Sequence, residues 1–151
     1  MKVRTLIGIL VIAFVLAAGV GASATTAAPK RAATATTCAQ FGYGIKIGRN
    51  GYFCSTIAGS GTFVSYVSGY FGWVVPYLQQ ICYPSMKVDF YDSNGWYAWK
   101  PGGQLSGCYK LNVAVNLPTI YLNKYMRPGR ARVSLLQAGS TVAEIWFGIH
   151  S

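Results

Sequence analysis

The stretch "RARVSLLQAGSTVAEIWFGIH", residues 130–150, decides the fold, because apolar and polar residues alternate on both sides of a small, glycine-containing turn. This alternation is typical of two half-buried β-strands joined in a hairpin. A loop of Ala138 to Ser140 aligns like residues with like, whereas a two-residue turn would set Val133 against Glu144. The predicted inward pairs are Val133 with Ile145 and Ala131 with Phe147. The predicted outward pairs are Ser134 with Glu144 and Arg132 with Trp146, the latter open to a cation–π contact.

Two Asn-Gly pairs predict further hairpins, because tight hairpin turns favour these residues at their central positions. In "FGYGIKIGRNGYFC", residues 41–54, a two-residue turn at Asn50-Gly51 pairs Ile47 with Cys54 and Arg49 with Tyr52. In "KVDFYDSNGWYAWK", residues 87–100, a turn at Asn94-Gly95 pairs Phe90 with Trp99 and Asp89 with Lys100.

The remaining segments also favour strands. Residues 61–75 are β-branched and aromatic residues broken by glycine and serine. Leu111 to Leu117 alternate as a half-buried strand that we expect to stop at Pro118, and Pro76 opens one predicted helical turn. The sequence therefore predicts an all-β fold: a small antiparallel β-sandwich, or partly open barrel, stapled by two disulfides and preceded by a flexible N-terminal arm.

Four cysteines indicate a disulfide framework, because an even count in an exported chain favours pairing. They are Cys38, Cys54, Cys82 and Cys108. Three connectivities are open, and we favour Cys38–Cys54 with Cys82–Cys108, since each closes one local segment. A metal site is the alternative, but no C-x-x-C spacing occurs, so we expect no metal and no cofactor.

The N-terminal residues predict export. Lys2 and Arg4 precede an apolar run that ends in an Ala-x-Ala site, which is typical of a signal peptide over residues 1–24. A membrane anchor is the alternative, but the run is short for a bilayer span. Residues 25–37 are expected to form a mobile basic arm, and residues 38–151 the β-sandwich domain. Cleavage would lower the net charge from +10 to +8 and leave a secreted protein with no membrane segment.

The chain carries few groups that could transfer a proton during catalysis. Its acids are Asp89, Asp92 and Glu144, and its single histidine is His150. Asp89 and Glu144 have predicted basic neighbours, Asp92 suits an Asx turn, and His150 lies next to the end of the chain. We therefore expect no enzyme activity and no small-molecule substrate.

The densest basic stretch is "YLNKYMRPGRAR", residues 121–132. Its arginines offer bidentate forks and its tyrosines offer stacking faces, which suit a phosphate-rich polymer such as cell-wall teichoic acid or nucleic acid. The alternative is a solvated loop at a strand entrance. The candidate partner-binding residues here are Tyr121, Lys124, Tyr125, Arg127, Arg130 and Arg132.

The arm "TTAAPKRAATATT", the four cysteines and the closing hairpin together resemble the adaptor subunit of the Streptomyces umbrella toxin particles. In that family the adaptor joins a large toxin-bearing subunit to a lectin subunit with a trypsin-like fold. The resemblance implies that the arm enters the cleft of the lectin subunit, with Lys30 and Arg31 as anchors. It implies a non-enzymatic, antibacterial role in binding other secreted proteins.

The segment "GASATTAAPKRA" is also similar to the mature start of the Streptomyces subtilisin inhibitor family, which has two local disulfides. In that family the protease-binding loop follows the third cysteine. Here "CYPSMKV" occupies that place, so the resemblance makes Met86 or Lys87 the residue presented to a protease. A third alternative is a cationic wall-binding or antimicrobial protein that acts through charge alone.

Overall fold

A computed structural model describes residues 33–41, 51–73, 80–109 and 114–151. These residues form ten β-strands and no helix, so no helix in this part of the chain could cross a membrane. The strands are β1 (Ala33–Phe41), β2 (Gly51–Ser60), β3 (Phe63–Trp73), β4 (Ile81–Cys82), β5 (Pro84–Asp92), β6 (Gly95–Gln104), β7 (Cys108–Tyr109), β8 (Val115–Tyr125), β9 (Gly129–Gln137) and β10 (Ser140–Ile149).

Two four-stranded antiparallel sheets face each other, which confirms the predicted all-β sandwich. The first sheet has the order β1-β2-β3-β8 and the second has the order β10-β9-β5-β6. A two-stranded sheet of β4 and β7 completes the fold. Edge strand β1 lies closest to β10 across the sandwich, and β6 lies closest to β8.

The core forms where the inward faces of the two sheets meet. In β5, Met86, Val88 and Phe90 point inward and are fully or almost fully buried, because alternate residues of a strand face the same side. Phe53 and Phe71 of the first sheet belong to the same buried cluster. The two sheets are thus joined by apolar burial.

The closing hairpin has the pairs predicted from sequence. Val133 lies opposite Ile145, Ala131 opposite Phe147, Ser134 opposite Glu144 and Arg132 opposite Trp146. The loop differs from the prediction, because Gln137 pairs with Ser140 across a two-residue turn. Ala138 and Gly139 have φ of 46° and 85°, as a type I′ turn requires. Val142 is an extra residue between Thr141 and Ala143, and this bulge restores the predicted register.

The predicted hairpin at Asn50-Gly51 is wrong. Cys54 lies between Cys38 of β1 and Tyr70 of β3, so neither side is open to Ile47. Gly51 begins β2 opposite Phe41, and the connecting residues 42–50 lie outside the described residues.

The hairpin after β5 exists, but its register differs from the prediction. The loop is Ser93-Asn94, because Asp92 Oδ1 accepts a hydrogen bond from the Asn94 N–H at 2.8 Å and Gly95 then opens β6. This bond confirms the predicted Asx turn. A register shift between Phe90 and Tyr91 leaves Tyr97 of β6 without a partner on β5, so Asp89 lies opposite Trp99.

The folded domain begins earlier than predicted, because Ala33 to Thr37 already belong to β1. Each of these residues is paired with β2, from Ala33 opposite Gly59 to Thr37 opposite Ser55. The proposed arm of residues 25–37 and the domain start at residue 38 are therefore wrong for residues 33–37. Alternating Thr and Ala residues bury little surface, but β-branched Thr suits a strand that has a partner. Residues 25–32 lie outside the described residues.

Strand β8 does not stop at Pro118 but continues to Tyr125. Proline is tolerated there because β8 is an edge strand and a register shift lies opposite Val67 to Gly69. The first half of the predicted strand, residues 111–113, and the predicted helical turn at Pro76 lie outside the described residues.

Both predicted disulfides are present. Cys38 is bonded to Cys54 across β1 and β2, and Cys82 is bonded to Cys108 across β4 and β7. No free cysteine occurs among the described residues. Such bonds persist in an oxidising environment.

The protease-inhibitor interpretation is not compatible with the positions of Met86 and Lys87. Both lie within β5, which is paired on both sides. Met86 is 0% exposed, and Lys87 Nζ lies 3.2 Å from Asp89 Oδ2. The short segment after Cys82 enters the sheet at Pro84, so there is no protruding loop here for a protease to bind.

Met86→Ala is expected to lower the free energy of unfolding by about 2 to 5 kcal/mol, because it removes a fully buried side chain. Lys87→Ala should change it by less than about 1 kcal/mol, because the ion pair of Lys87 is partly exposed. Urea denaturation of the oxidised protein measures both values. Equal, small effects would place Met86 at the surface and contradict its position in the core.

Candidate functional site

The basic stretch 121–132 does not form one cluster. Tyr121 to Tyr125 belong to β8 of the first sheet, whereas Gly129 to Arg132 belong to β9 of the second sheet. Tyr121 lies beside Tyr66, with ring centroids 6.4 Å apart, so it does not face the arginines of β9.

Tyr125 and Lys124 also lie apart from those arginines. The Tyr125 ring lies 5.2 Å from Phe63 at the end of the first sheet. Lys124 lines a cavity of about 190 Å³ between β6 and β8. The predicted anchors Lys30 and Arg31 lie outside the described residues.

Arg127 lies in the connection between β8 and β9 and is fixed by a carboxylate and a ring. Its Nη1 donates a hydrogen bond to Asp92 Oδ2 at 2.9 Å, and its guanidinium carbon lies 5.0 Å from the centre of the Tyr97 ring. The bond from Arg127, followed by the Asn94 N–H, lowers the pKa of Asp92 below its ordinary value. This pair orders the turn end of the second sheet.

The outer surface of the second sheet brings aromatic and basic side chains together. Strand pairing across β10, β9, β5 and β6 places Trp146, Arg132, Asp89 and Trp99 in one row. The adjacent row contains Arg130, Tyr91 and Trp96. We call this surface the tryptophan face, defined by Lys87, Asp89, Tyr91, Trp96, Trp99, Arg130, Arg132 and Trp146.

Asp89 organises the centre of the tryptophan face. Its Oδ2 accepts hydrogen bonds from Arg132 Nε at 3.3 Å and Nη2 at 3.0 Å, and Lys87 Nζ lies 3.2 Å away. Arg132 Nη1 also lies 3.2 Å from Glu144 Oε1. Burial opposes the charge on Arg132, but the bond to Asp89 and the charge of Glu144 outweigh it and raise its pKa. Arg132 is thus held as a cation in one orientation.

Aromatic rings enclose this guanidinium. The Arg132 guanidinium carbon lies 5.5 Å from the centre of the Tyr91 ring and 5.6 Å from that of Trp146. The predicted contact between Arg132 and Trp146 is therefore confirmed. Arg130 lies 5.5 Å from Trp146, and the Tyr91 and Trp146 rings are 5.2 Å apart. Each partly exposed cation–π contact contributes about 0.5 to 1 kcal/mol, so together they restrict the side chains of this face.

Large apolar surfaces remain open to solvent around this ordered centre. Trp96 and Trp99 are each 55% exposed and Trp146 is 45% exposed. The rings of Tyr91, Trp96 and Trp99, with the Asp89 and Arg132 pair, line a shallow depression of about 520 Å³. This arrangement can bury the side chain or flat surface of a ligand between indole rings while the charged centre supplies hydrogen bonds.

All three acidic residues of the chain are committed to basic partners. Asp89 binds Arg132 and Lys87 instead of the predicted Lys100, Asp92 binds Arg127, and Glu144 binds Arg132. These ion pairs account for each carboxylate in structural terms.

The sequence prediction did not identify Trp96 and Trp99 as site residues. Their signal was present in "NGWYAWK", but the predicted register placed Trp99 opposite buried Phe90. In the observed register Trp99 lies opposite Asp89, on the outer surface. The register shift that leaves Tyr97 unpaired turns Trp99 outward, and the alternation of this stretch gives no signal for it.

Comparisons with protein-family models, with curated protein sequences and with solved structures gave no match.

Asp89→Asn is expected to lower the free energy of unfolding by about 2 kcal/mol, because it weakens charged hydrogen bonds at a buried carboxylate. Glu144→Gln, at a more exposed position, should cost less than about 1 kcal/mol. Chemical denaturation near neutral pH measures the difference. A smaller loss for Asp89→Asn than for Glu144→Gln would contradict the central role of Asp89.

Arg127→Gln is expected to raise the pKa of Asp92 towards its ordinary value, because it removes the main stabilising hydrogen bond. The lowered pKa contributes stability above the unfolded-state pKa, and this contribution is lost as the pH falls through the folded-state pKa. Carboxyl-detected NMR titration measures the change. Lys124→Gln removes the same charge at a distant position. An equal rise of the Asp92 pKa in that variant would contradict a specific ion pair between Arg127 and Asp92.

Proposed function

We propose that this chain is a secreted, non-enzymatic protein-binding module that holds its partner against the tryptophan face. One observation carries the proposal: three partly exposed tryptophans lie on the same surface as a guanidinium that a buried carboxylate keeps in place. Trp, Tyr and Arg are the residues most often found at the energetic centres of protein interfaces. A soluble chain rarely exposes so many of them on one surface without a partner.

The order of the face favours tight contact. Binding normally loses free energy when flexible side chains become fixed. Arg132 is already fixed by Asp89, and Trp146 and Tyr91 already pack against it. The partner therefore meets a surface whose side chains have little freedom left to lose.

The charge balance of the face supports a protein partner over an anionic polymer. Lys87 and Arg132 share Asp89, and Arg132 also contacts Glu144. Of the basic residues on this face, Arg130 alone has no carboxylate within ion-pair distance among the described residues. A polymer of phosphates would gain most from several uncompensated cations.

The resemblance to umbrella toxin adaptors supports a more specific form of the proposal. In this form the module links a lectin subunit with a trypsin-like fold to a large toxin-bearing subunit in an antibacterial complex. Lys30 and Arg31 would enter the lectin cleft, and the tryptophan face would hold the other partner. The two disulfides fit an extracellular location, since they persist in oxidising surroundings.

Trp99→Ala is expected to weaken partner binding by about 30-fold, equivalent to about 2 kcal/mol, because it removes an aromatic anchor. The test is recovery of secreted proteins on the immobilised chain, followed by titration of the recovered partner. Tyr125→Ala is the matched control, since Tyr125 is an 80% exposed aromatic residue on the other sheet.

A loss of binding in Tyr125→Ala with none in Trp99→Ala would contradict the proposed site.

The salt dependence of binding distinguishes a protein partner from an anionic cell-wall polymer. An interface anchored by tryptophans should keep most of its affinity in added sodium chloride, because salt screens interactions between charges and does not weaken the burial of apolar surface. A steep fall would favour the cell-wall polymer instead.

A further inference from the structure

The free edge of β1 differs from the rest of this basic chain because its strand carries no charge. The described residues 33–41 and 51–73 contain no Lys, Arg, Asp or Glu, although the whole chain has a net charge of +10. Strand β1 pairs with β2 on one side and has no strand on its other side among the described residues. Its residues Thr34 to Cys38 are all exposed.

The other three edges of the two main sheets carry features that discourage strand pairing. Edge strand β6 has Lys100, Pro101 and two register shifts, and β8 has Pro118, Lys124 and two register shifts. Edge strand β10 has Glu144 and one bulge. Charges, prolines and bulges are the usual means by which proteins block such edges.

Strand β1 has none of these features. It keeps a regular register with β2 over all nine residues, from Ala33 to Phe41, with no bulge. Along Thr34 to Cys38, the N–H and C=O groups that point away from β2 have no strand partner among the described residues, so they form a straight, uncharged template for another strand.

We propose that two copies of this chain associate through their β1 strands, paired antiparallel around a twofold axis near Thr36. Such a pairing sets Thr36 opposite its own copy and Ala35 opposite Thr37. Threonine pairs stabilise neighbouring strands, and the chain already contains one, with Thr36 Oγ1 2.8 Å from Thr56 Oγ1. The two first sheets would then form one continuous eight-stranded sheet.

Charge favours the β1 edge as the place where two copies of this chain meet. Two strongly basic chains repel when their charged surfaces meet. Among the four edge strands of the two main sheets, β1 is the one whose described residues carry no charged side chain, so two copies can meet along it with no charged side chain in the strand contact. A nine-residue strand is about 30 Å long and has small side chains, which places the contact at the small end of interfaces. The dimer is therefore weak and depends on concentration.

Sedimentation equilibrium of the oxidised protein, purified from culture medium, tests this inference over a range of protein and salt concentrations. A monomer–dimer equilibrium is expected, and added salt should strengthen it by screening the net charge. Thr36→Lys should raise the dissociation constant about fivefold or more, because it places like charges opposite each other. Asn116→Lys, an exposed position on the β8 edge of the same sheet, should leave it within about twofold.

Thr34→Lys is the second variant, because it charges the same edge and keeps the Thr36 to Thr56 contact. Circular dichroism establishes that each variant is folded. A monomer at every concentration, a dimer weakened by salt, or equal effects of the β1 and β8 variants would overturn the inference.

Discussion

The carboxylate of Asp89 is the constraint on which the outer surface of the second sheet depends. It is buried, and a buried carboxylate is tolerated only where cations and hydrogen-bond donors compensate it. Arg132 and Lys87 provide that compensation from β9 and from β5 itself. Val88 and Phe90, the residues on either side of Asp89 in β5, are buried in the core, and their packing fixes the position of Asp89. The apolar core thus determines where the guanidinium lies and which aromatic rings surround it.

The parts of the fold that could be predicted from sequence are those with a strong alternation. In the closing hairpin, a one-residue slip would set Glu144 opposite Val133 in the core, so the alternation favours the register that buries Val133 with Ile145. The turn itself was less constrained, because a two-residue turn with a bulge gives the same pairs as a three-residue loop. The disulfides followed from their local spacing.

Prediction failed where turn chemistry offered more than one answer. An Asn-Gly pair favours a hairpin, but Asp92 captures the Asn94 N–H and moves the loop one residue earlier. The loop shift alone would leave Trp99 on the inner side, opposite Val88. The register shift that leaves Tyr97 unpaired then sets Trp99 opposite Asp89 on the outer surface, and with it the candidate site. Strand β1 was missed because alternating Thr and Ala residues carry little apolar signal, and their pairing depends on distant β2. Site residues are thus harder to predict than strands, because they depend on register to a single residue.

The two sheets divide the chemistry of the chain. Charged and indole side chains gather on the second sheet, whereas strands β1, β2 and β3 present uncharged polar and tyrosine side chains. This separation lets one molecule make two kinds of contact that do not compete. An ordered aromatic surface suits a large specific partner, and a neutral strand edge suits backbone pairing.

The central claim is that this chain acts by contact through its tryptophan face. Hydroxyl-radical footprinting tests it most directly, because the reaction reports solvent exposure of individual aromatic side chains in the free chain and in the complex recovered with its partner. The account predicts that Trp96, Trp99 and Trp146 lose reactivity in the complex while Tyr121 and Tyr125 keep theirs. Protection of the two tyrosines with unchanged tryptophans would contradict it.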